Sequence, residues 1–477
     1  MNSPIPHPIT TVSSDCIAAF QNRFGAQFSV AMALREQHGR DESAFSVPPP
    51  EAVLFAQSTQ DVSDALALAD QFNWPVIAFG VGSSLEGHLL AVKGGLSLDV
   101  SRMNQILAIN PEDLTVTVQP GVTRHQLNDF IKSEGLFFPI DPGANATLGG
   151  MCATRASGTN AVRYGTMREN VLALEVVLAT GEVIRTGTKA KKSSAGYDLT
   201  RLMVGSEGTL GVMTEITLKV YPLPEAINAA VCLFPSLSDA VNTTIALIQM
   251  GVPIARCELL DKNTVKIVNK HSHLNLPDGD MLLMEFHGSP TSVQEQIELV
   301  QEIANQYSAI SFQWASTPEE RTKLWTARHN AYFAGVQSRP GCRVITTDCC
   351  VPISKLADAL LISVEEAQLS EIPYFLVGHV GDGNFHLGYL IDPNDDDERA
   401  RAEVLNHKVV TRALSLGGTC TGEHGIGLHK MDFLKSETGL GAVNVMRLIK
   451  NALEPKKIMA ISIQWLGGGS FIVIDMH

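Results

Sequence analysis

Residues 80–88 read Gly80-Val81-Gly82-Ser83-Ser84-Leu85-Glu86-Gly87-His88, directly after the short apolar run 74–79. A strand that opens into clustered glycines and hydroxyls presents backbone N–H groups around a concave loop, the chemistry of a pyrophosphate nest. A nicotinamide-type dinucleotide fold would need Gly-x-Gly-x-x-Gly and then an amphipathic helix. Here the third glycine position is Leu85, and no such helical pattern follows. A Walker loop is absent from the chain. Taken alone, 80–88 reads equally well as a tight structural turn, so its meaning depends on what accompanies it.

Three stretches accompany it. Asp141-Pro142-Gly143-Ala144-Asn145-Ala146-Thr147-Leu148-Gly149-Gly150 is an extended run of small residues. Ser157-Gly158-Thr159-Asn160-Ala161-Val162-Arg163-Tyr164-Gly165 follows, and Gly205-Ser206-Glu207-Gly208-Thr209-Leu210-Gly211 comes later. The 39 glycines cluster at 80–95, 143–165, 205–211, 378–388 and 417–427. Such clustering marks places where backbone turns sharply or approaches a ligand.

Around these loops the pattern is mixed helix and strand. A helix is predicted over 14–24, and Pro48-Pro49-Pro50 stiffens the entry to the first core. Over 61–72, Val62, Ala65, Leu66 and Ala69 share one helical face. Strands are predicted at 74–79, 96–100 and 210–220, with hairpins pairing 106–110 with 114–119 and 171–178 with 182–185. Thr123 and Gln126 form a capping box for a helix stopping near Gly135. After residue 225, strands at 229–234, 281–288, 346–352 and 374–377 alternate with helices at 237–250, 293–306 and 354–369. That alternation suits a parallel or an antiparallel sheet. Asp395-Asp396-Asp397 reads as a solvated turn.

At 477 residues the chain has room for two or three domains. It is 45% apolar and 18% charged, which excludes long disorder. A net charge of −14 argues against a nucleic-acid partner. The start shows no secretory or transit pattern, and no apolar run approaches the roughly 20 residues of a membrane helix. Eight cysteines without Cys-x-x-Cys spacing exclude a disulfide scaffold and an iron–sulfur cluster. A cytoplasmic location is the expectation, with peripheral attachment at the inner membrane left open.

Two further motifs carry reactive groups. Gly378-His379-Val380-Gly381-Asp382-Gly383-Asn384-Phe385-His386 places two histidines either side of a glycine turn. On one straight strand an offset of seven would send them to opposite faces, whereas a turn lets both face one centre. Gly422-Glu423-His424-Gly425-Ile426-Gly427 holds a Glu-His pair between glycines. Two imidazoles and one carboxylate with open positions suit catalytic zinc or manganese, leaving His424 free as a base.

The glycine stretches between about 50 and 222 resemble the FAD-binding domain of the vanillyl-alcohol oxidase and p-cresol methylhydroxylase (PCMH) superfamily. The resemblance implies an α+β fold: a two-subdomain PCMH-type FAD-binding domain plus a C-terminal α+β substrate (cap) domain with a returning C-terminal segment. The corresponding divisions are 1–47, 48–224, 225–460 and an atypical tail at 461–477. It implies that Gly80, Gly82, Ser83 and Ser84 hold the pyrophosphate of FAD. Pro142, Gly143, Thr147, Gly149, Gly150, Ser157 and Gly158 would line the flavin and its phosphates, with Gly211 and Ile216 near the adenine side. The FAD is expected to be non-covalent, since Ser83 and Ser84 stand where some members carry an attaching histidine and His88 lies beyond the nest.

Residues 378–386 and 419–430 resemble the signatures of the FAD-linked D-2-hydroxyacid dehydrogenases, and the likeness runs from about 50 to 459. The wording of 139–170 and 378–386 is nearest to the cytochrome-type D-lactate branch. By this resemblance His379, His386 and Glu423 bind a divalent metal, zinc or manganese, and His424 is the base. Arg328, within Leu324-Trp325-Thr326-Ala327-Arg328-His329, would pair the substrate carboxylate, a task suited to its planar fork. The implied reaction is oxidation of a small 2-hydroxy acid, D-lactate or a similar D-2-hydroxy monocarboxylate, to the 2-oxo acid. Gly388 and Thr346 stand where members acting on 2-hydroxyglutarate carry an Asn and a Lys. Electrons would pass to an external acceptor: a cytochrome, quinone, electron-transfer flavoprotein or partner subunit. A homodimer is left open. The other readings are the flavin subunit of a glycolate oxidase complex, a non-catalytic flavin-binding subunit, and an aryl-alcohol oxidase of the wider superfamily. From Ala460 onward the chain departs from the family pattern.

Overall fold

Val62, Ala65, Leu66 and Ala69 form the buried stripe of helix Thr59–Phe72, which Ser58 caps through its hydroxyl and Asn73 ends in a left-handed conformation. A computed structural model provides this view and describes residues 12–459 except Ala44 and Leu274; the tail expected at 461–477 lies outside the described residues. The helix lies beside parallel strands Ala52–Phe55, Leu96–Asp99 and Val76–Phe79, and Phe28–Ser29 pairs antiparallel at the edge. Phe20 and Phe24 of helix Ser14–Phe24 close this first core around Trp74. Strand Val76–Phe79 runs straight into the loop that starts at Gly80.

A second lobe is a five-stranded antiparallel sheet. Its order is Ile106–Asn110, Thr115–Val118, Val212–Lys219, Val171–Val177 and Val183–Arg185. Both predicted hairpins are present, as is the reciprocal Thr123–Gln126 capping box on helix Arg124–Ile131.

The third unit is an eight-stranded sheet in which every strand pair is antiparallel, the alternative that periodicity left open. The central run of its order is Ala226–Phe234, Asp280–Gly288, Arg256–Leu260, Tyr374–Gly378 and Asn384–Ile391. Strand alternation divides the side chains cleanly. Leu282, Met284 and Leu376 join a core built with helices Leu237–Gln249, Pro290–Gln306, Leu356–Leu369 and Asp396–Ser415. Met281, Leu283, Phe375 and Val377 face the other way, toward Trp325, Ala331 and Ala334. That second face turns Phe375 and Val377 toward the first two lobes, with each buried aromatic or aliphatic side chain contributing about 1.5–3 kcal/mol.

Two expectations need correction. The single strand predicted at 346–352 is two short strands, Arg343–Thr346 and Cys349–Cys350, both beside Asn384–Ile391. Between them Thr347 still donates to the Leu387 carbonyl at 3.0 Å, and the Asp348 carboxylate accepts from the 421–424 loop. The aspartates at 395–397 are not a solvated turn. Asp395 caps helix Asp396–Ser415 by accepting from Glu398 N–H, and three acids fill its first turn, where the helix dipole favours negative charge. Finally, the chain returns: Ile449 and Leu453 of helix Met431–Leu453 pack on the second lobe, and Ile458 and Met459 enter the first core.

Candidate active site

One cavity of about 400 Å³ opens between the glycine loops and the inner face of the large sheet. Its first wall carries Gly80, Gly82, Ser83, Ser84, Pro142, Gly143, Thr147, Gly149, Gly150 and Gly211. Its second carries Arg328, His379, His386, Glu423 and His424. Three residues expected at the cofactor do not line it. Ser157 lies outside the wall, and Gly158, at φ +148°, packs so closely on Asp141 that a Cβ would sit 2.6 Å from its backbone. Ile216 is fully buried in the second-lobe core, because its strand position points inward rather than toward the cavity.

The first wall suits an extended dinucleotide. A Cβ at Gly143 would meet nothing within 4 Å, and one at Gly208 would meet only Ala78 at 3.9 Å, so side chains there would occupy the cavity itself. At Gly80 a Cβ would lie 2.6 Å from the Thr147 hydroxyl, so glycine lets the two loops touch. His88 lines the cavity with both nitrogens engaged: Nδ1 with Ser84 Oγ and Nε2 with Glu207 Oε2 at 3.0 Å.

On the second wall the turn at 380–383, with Gly383 at φ +80°, folds His386 back beside His379. Their rings sit 5.5 Å apart. Glu423 Oε1 lies 3.1 Å from His379 Nε2 and 3.4 Å from His386 Nε2. Each Nδ1 is backed by an acceptor, Glu258 Oε1 at 2.7 Å for His379 and the Thr347 carbonyl at 3.2 Å for His386. Imidazoles held from behind with Nε2 converging on a carboxylate are the usual build of a metal site. Glu423 Oε2 is buried without a hydrogen-bond partner. Asp348, His386 and His424 form a second trio of close donor atoms. There the carboxylate is already committed: Asp348 Oδ2 accepts from Glu423 N, His424 N and Thr421 Oγ1, and Oδ1 accepts from Asn384. The first trio therefore has the free lone pair.

Charge follows the same geometry. At His379 burial, which disfavours the imidazolium, is outweighed by Glu258 and Glu423, and its pKa rises well above the ordinary value. Burial lowers that of His386. The carboxylates around His379 thus make a locally negative pocket, favourable to a cation. The ring of His424 stacks on His386 at 5.1 Å with its Nδ1 3.4 Å from Glu86 Oε1, which leaves Nε2 as its working nitrogen. Burial lowers the pKa of His424, but Asp348 and Glu86 outweigh it and raise it.

Arg328 is buried in the cavity wall, its Nη2 2.5 Å from Glu258 Oε2, and its Nε has no hydrogen-bond partner. It is the only Lys or Arg among the described residues lining the cavity. Tyr332, Phe333, Phe375 and Val377 make the nearby wall apolar. Gly388 sits against Phe375 so tightly that any Cβ would overlap the ring.

Sequence reasoning missed the carboxylates that hold these groups. Glu258, Asp348, Glu86 and Glu207 are each buried and each bonded to a site residue or its loop. Only Glu86 and Glu207 had a local signal, an acid inside a glycine-rich loop.

Comparison with known proteins agrees with the architecture. Residues 50–187 match the model of an FAD binding domain, and residues 223–461 match that of the FAD linked oxidases, C-terminal domain. A "Probable D-lactate dehydrogenase, mitochondrial" of Danio rerio is 46% identical over 447 residues, 93% of this chain and 90% of the relative. A mitochondrial D-lactate dehydrogenase (cytochrome) of Arabidopsis thaliana is 44% identical over 424 residues, 88% of this chain and 75% of the relative. Among solved structures, p-cresol methylhydroxylase superposes with a TM-score of 0.77 at 16% identity, over 94% of this chain and 96% of that one, a likeness of fold.

Proposed function

Because the chain belongs to the FAD-linked D-2-hydroxyacid dehydrogenase family, within the FAD linked oxidases, we propose that it oxidises D-lactate, or a closely similar D-2-hydroxy monocarboxylate, to the 2-oxo acid. The observation that carries this reading is the meeting, in one cavity, of a glycine-lined wall with Arg328 and the His379–His386–Glu423–His424 cluster.

FAD is the cofactor, and Gly80, Gly82, Ser83, Ser84, Gly143, Thr147, Gly149 and Gly150 are the residues that would hold it. His379, His386 and Glu423 would hold a divalent ion, zinc or manganese. When bound, FAD supplies a two-electron acceptor and the ion a Lewis acid at the substrate hydroxyl. Arg328 pairs the substrate carboxylate, with Glu258 fixing the guanidinium from behind. His424 takes the hydroxyl proton at Nε2, its other nitrogen held toward Glu86. The C–H bond at the alcohol carbon breaks with its hydrogen leaving as hydride, to be accepted by FAD when bound, and the carbon becomes a ketone; the two electrons would then leave to an external acceptor. A cytochrome, quinone, electron-transfer flavoprotein or partner subunit would serve, and a chain working peripherally at an inner membrane would meet any of them. Among the described residues no helix is long and apolar enough to cross a membrane.

A monocarboxylate fits because Arg328 is the only Lys or Arg among the described residues lining the cavity, and Tyr332, Phe333, Phe375 and Val377 supply apolar wall there. A distal carboxylate would be buried unpaired, which costs on the order of several kcal/mol. Non-covalent attachment fits the double engagement of His88, so acid precipitation should release all the flavin. Anaerobic addition of D-lactate should bleach the flavin absorbance, with L-lactate and D-2-hydroxyglutarate far slower. Faster bleaching by glycolate would assign the chain to a glycolate-oxidising role instead, and bleaching by none of the four would end the enzymatic reading.

A further inference from the structure

Glu207 bridges the two walls. It sits in Gly205-Ser206-Glu207-Gly208, and its backbone takes φ +53°, a left-handed conformation that favours glycine. A residue held there against its backbone preference points to a task for its side chain. The side chain is buried, and its two oxygens reach across to the C-terminal unit. Oε1 accepts from Ile426 N–H at 2.8 Å and Oε2 from Gly427 N–H at 3.0 Å. Oε2 also meets His88 Nε2 at 3.0 Å, and His88 Nδ1 meets Ser84 Oγ in the 80–84 loop. Gly425 permits this closure, since a Cβ there would lie 2.8 Å from His88 Nε2 and 2.9 Å from Glu207 Oε1.

We propose that Glu207 is a positioning residue that couples occupancy of the FAD nest to the placement of the loop bearing Glu423 and His424. The contacts run from half-buried Ser84 through the buried side chains of His88 and Glu207, an ion pair at 3.0 Å, to the buried amides of Ile426 and Gly427. Ordering Ser84 against a bound dinucleotide fixes His88, which fixes the carboxylate, which fixes two successive amides of the reactive loop. By linkage the effect is reciprocal: disturbing the reactive loop must loosen the FAD. A second contact, Leu428 N–H to the Glu86 carbonyl, joins the same loops through backbone alone and is untouched by the variants below. The inference rests on FAD occupying the glycine-lined wall and not on which acid is oxidised.

The test uses FAD-loaded protein and needs no turnover. Hydrogen exchange is followed in peptides covering 422–430, and FAD release is followed by flavin fluorescence. Ser84→Ala, altered only on the FAD side, should speed exchange at 422–430. Thr421→Val, which removes the hydroxyl that bonds Asp348 and Gly425 N–H within the C-terminal unit, should speed FAD release. Each change should be at least about fivefold, the lower end of ordinary coupling between sites. Glu207→Gln keeps the volume but turns one accepting oxygen into a donor facing an N–H, so it should produce both effects. If Ser84→Ala leaves exchange at 422–430 unchanged, or Thr421→Val leaves FAD release unchanged, the two sites are independent and the proposal fails. If Glu207→Gln fails to fold, the other two variants decide alone.

Discussion

Replacing Arg328 separates two roles that the structure combines in one guanidinium. Arg328 and Glu258 are 2.5 Å apart with side chains only 8% and 1% exposed, so each is the other's buried counter-charge. Arg328→Ala leaves the Glu258 carboxylate with His379 as its remaining partner, and breaking such a buried pair costs up to about 3–5 kcal/mol. At about 2–4 °C per kcal/mol for a domain of this size, the melting temperature should fall on the order of 10 °C. His379 should suffer too, because Glu258 Oε1 holds its Nδ1. Arg328→Lys keeps the charge, so Glu258 stays paired and the melting temperature should stay near that of the parent. What lysine loses is the fork that grips a carboxylate. One charged hydrogen bond is worth about 1.5–3 kcal/mol, so kcat/KM should fall about 10- to 150-fold, mainly through KM. Anaerobic stopped-flow bleaching of the flavin at increasing D-lactate, with thermal melts on the same samples, reads both effects. A lysine variant within twofold of the parent in kcat/KM would remove Arg328 as the carboxylate anchor. An alanine variant melting with the parent would refute the buried-pair reasoning.

Three other outcomes follow from the same geometry. His424→Ala should retain FAD and slow flavin reduction by about 10²–10⁴-fold, the scale of a lost general base, and a near-normal reduction rate would take His424 out of that role. Elemental analysis should find about one zinc or manganese per chain, and Glu423→Gln should lose it together with turnover; full activity in metal-free protein would sink the metal reading. Burial lowers the His329 pKa to about 4, with Arg328, Arg256 and Arg124 adding to the effect and Asp141 opposing it. Its folded value is below the unfolded one near 6.5, so the unfolded chain binds the extra proton between pH 6.5 and 4. Stability should therefore drop as pH falls through that window, and His329→Gln should flatten the slope in a series of melts; an unchanged slope would mean that His329 is not buried as a neutral ring.

The local elements were legible because each is set by neighbours in the chain. The stripe on helix Thr59–Phe72, the Thr123–Gln126 box and the turn returning His386 beside His379 depend on spacings of two to seven residues. The reactive groups were legible for the same reason: histidines and a Glu-His pair framed by glycines are unusual within a few positions. Beyond the two hairpins, strand partners were not, since alternation serves parallel and antiparallel sheets alike, and only the assembled ladder excludes one. Ile216 reads as well beside a ligand as in a core, and its inward strand position decided for the core. Most hidden were Glu258 and Asp348, which act on residues 121 and 76 positions away. Sequence order carries no distance for such pairs. A buried carboxylate acquires its role from the cations and amides that folding brings to it, and that pairing exists only in three dimensions.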